Sequence, residues 1–318
     1  METSVAPLST GSPARGKVIF ALIAVYFIWG STYLGLRFAL EGFPPFLLNG
    51  IRFMVAGGIM FVVLRSRGET SPTPRQWRNL VLMGIPLFVG GLSLVTTAED
   101  LGVGSGVVAT AIALTPVWAA LWSGLFGQWP VRREWMGLIV GLLGVLVLAQ
   151  EGDFRSSALG TLLVVIAPIS WAFGSIWGPR LDLPKGLMAP AAQLLSGGVV
   201  LTVIGLARGQ RIVGMPSTSA WLAMAYLIFF GSIIAYTSYF YLIRTVRPTL
   251  ATSYAYVNPI VAVALGLTLG GEVITGPIYI ALPLILLSVG LVATAQRDAH
   301  PGKTRPLPNA PATIEEAA

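Results

Sequence analysis

The stretch "ATSYAYVNPIVAVALG", Ala251–Gly266, is apolar for most of its length. It nevertheless carries Thr252, Ser253, Tyr254, Tyr256 and the pair Asn258-Pro259. Proline removes a backbone donor and its ring crowds the preceding helical turn. The residue before a proline is pushed away from helical backbone. A hydrophobic helix with a break, an amide and phenols at its middle makes sense if one side faces a wet cavity rather than lipid. Thr252, Tyr256 and Pro259 fall on one face of a regular helix, at spacings of four and three.

The rest of the chain supports a membrane setting. Only 10% of its 318 residues are charged and 55% are hydrophobic, against about 25% charged in soluble domains. Apolar runs long enough to cross a bilayer recur. They place spans at 18–38, 44–64, 79–98, 104–126, 134–150, 158–178, 187–207, 220–242, 249–270 and 277–296. The run from Val18 exceeds a signal-peptide core and is read as a retained first span. Residues 1–17 form a cytoplasmic tail and 297–318 a disordered cytoplasmic one. With the N-terminus inside, Arg15, Lys17, Arg65, Arg67, Arg75, Arg78, Arg132, Arg133, Arg180, Lys185, Arg244, Arg247, Arg297, Lys303 and Arg305 are all cytoplasmic. Only Arg37, Arg155, Arg208 and Arg211 are outside, which is the positive-inside bias. The net charge of +7 therefore reports orientation and calls for no nucleic-acid partner.

There is no cysteine and the single histidine, His300, lies in the C-terminal tail. Cysteine and histidine chemistry, metal clusters and disulfides are therefore set aside, and no cofactor is expected. No phosphate-cradling Gly-Lys-Ser/Thr loop exists, which argues against direct ATP use. A membrane-embedded enzyme would need a catalytic cluster that these spans lack. A receptor would not need paired helix interruptions.

Those interruptions come from an internal repeat. "ATAIALTPVWAALWSG" (Ala109–Gly124) echoes the opening stretch and sets Thr115-Pro116 against Asn258-Pro259. "FIWGSTYLGLR" (Phe27–Arg37) echoes "ISWAFGSIWGPR" (Ile169–Arg180), and "GLLGVLVLA" (Gly141–Ala149) echoes "ILLSVGLVA" (Ile285–Ala293). Five spans per half is an odd number, so the halves, 18–150 and 158–296, have inverted topology. Such repeats are typical of secondary transporters, with the binding site between them near the midplane. The expected fold is all-α and polytopic: ten transmembrane helices as two inverted five-helix repeats around a central cavity.

Taken in order, "WGSTY" (Trp29–Tyr33), "RFMVAGG" (Arg52–Gly58), "AED" (Ala98–Asp100), "SWAFGS" (Ser170–Ser175) and the run from Ser253 to Glu272 resemble EamA-type transporters of the drug/metabolite transporter superfamily. The resemblance covers nearly all of 18–296 and implies an exporter of drugs, amino acids or related metabolites in the bacterial inner membrane. It implies a basket in which spans 1–4 and 6–9 surround the cavity and spans 5 and 10 lie outside. One departure is that the family's Gly-Glu pair after the fourth span reads Gly127-Gln128 here.

Candidate pathway residues follow. Arg52 lies inside the second span, where a charge costs roughly 2.5–3.5 kcal/mol on insertion scales. It either grips a substrate carboxylate through two parallel hydrogen bonds or is a structural arginine bonded to carbonyls or to Glu99. Asn49 shares its face. Glu99 is either a protonatable gate or an interfacial acid. Trp29 and Trp171 are aromatic residues at mirrored places. Thr115, Tyr236, Tyr239, Thr252, Tyr256 and Asn258 complete the candidates, with Pro116 and Pro259 as hinges. Expected partners are a small-molecule substrate and membrane lipid, with proton coupling left open. Gly137, Gly141 and Gly144 serve either a homodimer or packing within the bundle. An uncoupled facilitator or channel is the alternative reading.

Overall fold

The computed structural model describes residues 15–103, 108, 111–149, 157–269 and 276–298. Among these the regular structure is all helical. Among the described residues six helices are long and apolar enough to cross a membrane: α1 (Arg15–Leu40), α2 (Pro45–Ser66), α3 (Pro74–Asp100), α6 (Ala158–Arg180), α7 (Met188–Ala207) and α8 (Thr218–Thr245). Between and after them come α4 (Thr115–Leu125), α5 (Arg132–Ala149), α9 (Pro248–Ala251), α10 (Tyr254–Leu269) and α11 (Gly276–Asp298). The chain is a multi-pass membrane protein.

Local chemistry sets the helix ends. Thr73 opens α3 with a capping box: Gln76 N donates to Thr73 Oγ1 (3.3 Å) and Thr73 N to Gln76 Oε1 (3.0 Å), which satisfies two donors a helix start leaves free. Ser157 and Ser217 cap α6 and α8 in the simpler way. Gly127, at φ +84°, ends α4. Its left-handed backbone lets Gln128 N reach Ser123 O at 2.8 Å, closing the last turn as only glycine does cheaply.

The broken stretch is not broken where the prolines predict. In the second half the helix stops at Thr252-Ser253, between α9 and α10, and then runs through Pro259 without interruption. Pro259 is thus an internal proline, not a break. In the first half the turn is at Leu114, directly before Thr115-Pro116, so Pro116 stands in the first turn of α4, where its missing N–H costs nothing. Both interruptions precede their prolines, by different distances. Because Thr252 lies in the break, Thr252, Tyr256 and Pro259 do not share one regular face.

Three π-helical segments lie within the long helices: Val25–Trp29 in α1, Ile85–Ser93 in α3 and Leu227–Tyr236 in α8. Such segments are rare and shift the hydrogen-bond register, and they occur disproportionately at functional sites. Pro86, near the start of the second, has no N–H to give the ladder, and its own carbonyl accepts from Ser170 Oγ at 2.9 Å.

Close helix pairs rest on glycine, as expected where lipid supplies no hydrophobic drive. A Cβ on Gly57 would stand 2.3 Å from Leu195 N and 2.8 Å from Ala191 O; one on Gly198 would stand 2.4 Å from Met54 N. Backbone faces backbone there, so α2 and α7 cannot yield locally. Gly57→Ala is expected to cost about 1–3 kcal/mol, read as a lower midpoint in detergent thermal unfolding. An unchanged midpoint would show that the two helices separate freely. Gly137, Gly141 and Gly144 of α5 are filled the same way by Val292, Ser288, Ile285 and Tyr256, and Ser288 Oγ donates to Gly137 O at 2.6 Å. That glycine stripe is used within the chain's own bundle.

Candidate functional site

A cavity of about 100 Å³ lies at the middle of the bundle, walled by α1, α2, α3, α4, α6, α8 and α10. One buried water needs roughly 10–15 Å³ on this measure, so the cavity has room for several waters or a small solute. Its wall contains Trp29, Thr32, Tyr33, Arg52, Phe53, Thr115, Pro168, Trp171, Gly231, Tyr236, Tyr254 and Asn258, with aliphatic residues between them. All three π-helical segments contribute to it, through Trp29, through Gly91 and Leu92, and through Gly231 and Tyr236.

Arg52 is only 4% exposed. Its Nε donates to Leu227 O (3.1 Å) and to Ser232 Oγ (2.7 Å). Ser232 Oγ in turn donates to Leu227 O (3.0 Å). Leu227 and Ser232 are five residues apart within the π-helical part of α8, so the altered register presents both acceptors to the arginine. Gly231 lets the guanidinium come close: a Cβ there would stand 2.7 Å from Arg52 Nη2. Phe53 lies 5.1 Å from the guanidinium carbon. Among the described residues no carboxylate lies within 4.0 Å of Arg52. The partnership with Glu99 is therefore not formed, and Asn49 is not a partner either: its Nδ2 donates to Thr96 Oγ1 (3.1 Å) and Pro45 O (3.2 Å).

The aromatic residues interlock at one side of the cavity. Trp29 contacts Tyr254, Tyr239 and Trp171 at centroid distances of 4.9, 5.0 and 5.7 Å. Tyr239 shares hydrogen bonds with Trp171 Nε1 (3.1 Å) and Ser175 Oγ (2.5 Å). Trp29 Nε1 donates to Gly231 O at 3.1 Å. The Asn258 amide nitrogen, turned toward its acceptors, donates to Tyr26 O (3.1 Å) and Tyr254 O (3.0 Å). The Tyr236 hydroxyl is buried with no hydrogen-bond partner among the described residues.

Six of the sequence candidates thus meet in the wall: Trp29, Arg52, Thr115, Trp171, Tyr236 and Asn258. Five do not. Asn49 and Glu99 lie off the wall. Tyr239 backs the tryptophans. Thr252 Oγ1 donates to Pro248 O (2.8 Å), and Tyr256 turns the other way, donating to Leu138 O of α5 (3.1 Å). Pro259 and Pro116 are not in the wall. Thr32, Tyr33, Pro168, Gly231 and Tyr254 are wall residues absent from the candidate set. Pro168, inside α6, was detectable by the same proline argument that singled out Pro259.

The first half does hold a buried acid near the place of the missing one. Glu134, fully buried, accepts from Arg247 Nε (2.6 Å) and Nη2 (2.7 Å), Thr249 Oγ1 (2.5 Å) and Val131 N (2.9 Å). It ties α5 to the start of α9. Glu272 lies outside the described residues.

Residues 16–150 and 158–294 each match the EamA-like transporter family. The uncharacterised inner membrane transporter YedA of Escherichia coli (strain K12) is 44% identical over 272 residues, 86% of this chain and 89% of that protein. The uncharacterised transporter YvbV of Bacillus subtilis (strain 168) is 25% identical, over 89% of this chain and 93% of its own. A solved crystal structure superposes with a TM-score of 0.74 at 19% identity, covering 90% of this chain and 99% of that one, which speaks to fold alone. With both halves matched and a relative at this identity over most of both chains, the protein belongs to the EamA-like transporter family.

Proposed function

We propose that the protein is a secondary transporter that exports small organic solutes, such as amino acids or related metabolites and drugs, across the bacterial inner membrane by alternating access. The observation that carries this reading is the central cavity, walled by helices of both halves and holding a buried arginine whose guanidinium is only partly used. The reading includes ten spans arranged as two inverted five-helix repeats, with both termini cytoplasmic. The sequence echoes and the basic loops support it. Solute bound in the cavity is exposed to one side at a time as the halves rock.

Counterflow in proteoliposomes tests the proposal. Preloaded unlabelled solute is expected to drive transient accumulation of labelled solute, with saturation. Flux that neither saturates nor shows counterflow would instead indicate a channel. Coupling to protons is assigned to Glu99, a carboxylate in the last turn of α3. Glu99→Gln is expected to keep counterflow while losing stimulation by a pH gradient. Stimulation that persists in the variant would remove Glu99 from coupling.

A further inference from the structure

We infer that the cavity selects organic monoanions with a flat apolar body over zwitterions and cations of the same shape. The inference rests on the reading of the cavity as the solute site and narrows the solute range proposed above, putting carboxylic metabolites without an ammonium ahead of amino acids. Among the described wall residues Arg52 is the one charged side chain, and no aspartate or glutamate joins it. A guanidinium offers five donors in a planar fork. Here Nε is engaged by Leu227 O and Ser232 Oγ, and among the described residues Nη1 and Nη2 have no hydrogen-bond partner. That pair is the edge that grips a carboxylate through two parallel bonds.

The second observation is the Tyr236 hydroxyl. Its side chain is 2% exposed, it lines the same cavity, and it finds no partner among the described residues. Buried hydroxyls are nearly always bonded; this one is sealed just behind the wall, and a solute reaches it by a small shift of the Tyr236 ring. A phenol donates readily to a carboxylate. Tyr236 and the arginine's seat, Ser232, lie four residues apart on the same π-helical segment, so one rigid element presents the hydroxyl and fixes the guanidinium.

An ammonium fares badly in this wall. It is repelled by Arg52 and meets no carboxylate. The nearby carbonyls Leu227 O and Gly231 O already accept from Arg52, Ser232 and Trp29. Trp29, Trp171 and Tyr254 supply flat apolar surface; their faces attract an ammonium by about 0.5–2 kcal/mol, and the guanidinium already in the wall opposes that attraction. The cavity has space for roughly seven to ten waters, about the size of a phenyl-bearing acid.

Three probes that share a phenylethyl frame separate the charge types: 3-phenylpropanoate, L-phenylalanine and 2-phenylethylamine. Binding to the purified full-length protein is measured by titration calorimetry. The propanoate is expected to bind at least about tenfold more tightly than phenylalanine, and the amine not measurably. Tyr236→Phe, which keeps the ring, is expected to weaken the propanoate about tenfold. Arg52→Gln is expected to erase the preference, and Arg52→Lys to restore part of it. Equal or tighter binding of the amine or of phenylalanine overturns the inference, as does failure of all three to bind the folded wild type. Propanoate binding without counterflow would sink the carrier reading and leave the selectivity standing. Counterflow of phenylalanine or the amine in preference to the propanoate would do the reverse.

Discussion

Glu134→Ala is expected to destabilise the protein by about 3 kcal/mol, seen as a large drop in the thermal unfolding midpoint in detergent. Removing one partner of a buried ion pair typically costs about 3–5 kcal/mol, and here Thr249 Oγ1 and Val131 N lose their acceptor as well. Arg247 retains 22% side-chain exposure, so the lower end of that range applies. The carboxylate is buried but fully used, by two arginine nitrogens, a hydroxyl and a backbone amide. Glu134→Leu combined with Arg247→Met is expected to recover most of the loss, because an apolar pair of similar volume removes both desolvation costs. If the double replacement is as damaging as the sum of the singles, the two side chains are not coupled and the account fails. The contrast is Arg75–Asp182, at 3.9 Å with side chains 73% and 50% exposed. Such surface pairs are worth about 0–1 kcal/mol, and Asp182→Ala is expected to leave the midpoint in place.

That bridge also marks what a single sequence conceals. Glu134 and Arg247 are 113 residues apart, and nothing local in Val131–Glu134 announces a pair. Position 128, where the resemblance implies an acid, holds Gln128, and the buried acid of that region, Glu134, lies six residues on. Arg52, Trp29 and Trp171 were legible because a charge or a large amphipathic ring deep in an apolar run is anomalous wherever it points. Tyr254 and Tyr256 were both visible as phenols, but which one faces the cavity depends on where the helix starts. Two residues turn a helix by about 200°. Starting α10 at Tyr254, after the break at Thr252-Ser253, sends Tyr254 to the cavity and Tyr256 to α5. A proline in the sequence advertises a break at itself, whereas the break fell upstream, where Thr252 and Ser253 bond back to Pro248 O and Leu250 O. The π-helical segments left no mark in the hydrophobic pattern, since a one-residue register shift answers to packing across the cavity.

Those π-helical segments carry the last expected result. Gly231→Leu is expected to cut solute flux about thirtyfold or more while the protein stays folded. A Cβ at Gly231 would stand 2.7 Å from Arg52 Nη2 and 3.1 Å from Thr32 Cγ2, so the larger side chain must push the guanidinium out of its seat. A hydrogen bond to a charged group is worth about 1.5–3 kcal/mol, and about 2 kcal/mol of lost solute contact corresponds to roughly thirtyfold. Arg52→Ala is expected to show the same loss, and the two together little more, because both remove one guanidinium from one place. Ser232→Ala should be mild, since Leu227 O remains to hold Nε. Full flux in a folded Gly231→Leu protein would mean that solute passes without meeting Arg52. The arginine would then be a strut between α2 and α8, and the cavity would owe its selectivity to its aromatic wall alone. The graded outcome across these variants follows from one geometric fact: the residue that holds the arginine and the residue that makes room for it are neighbours in a single shifted turn.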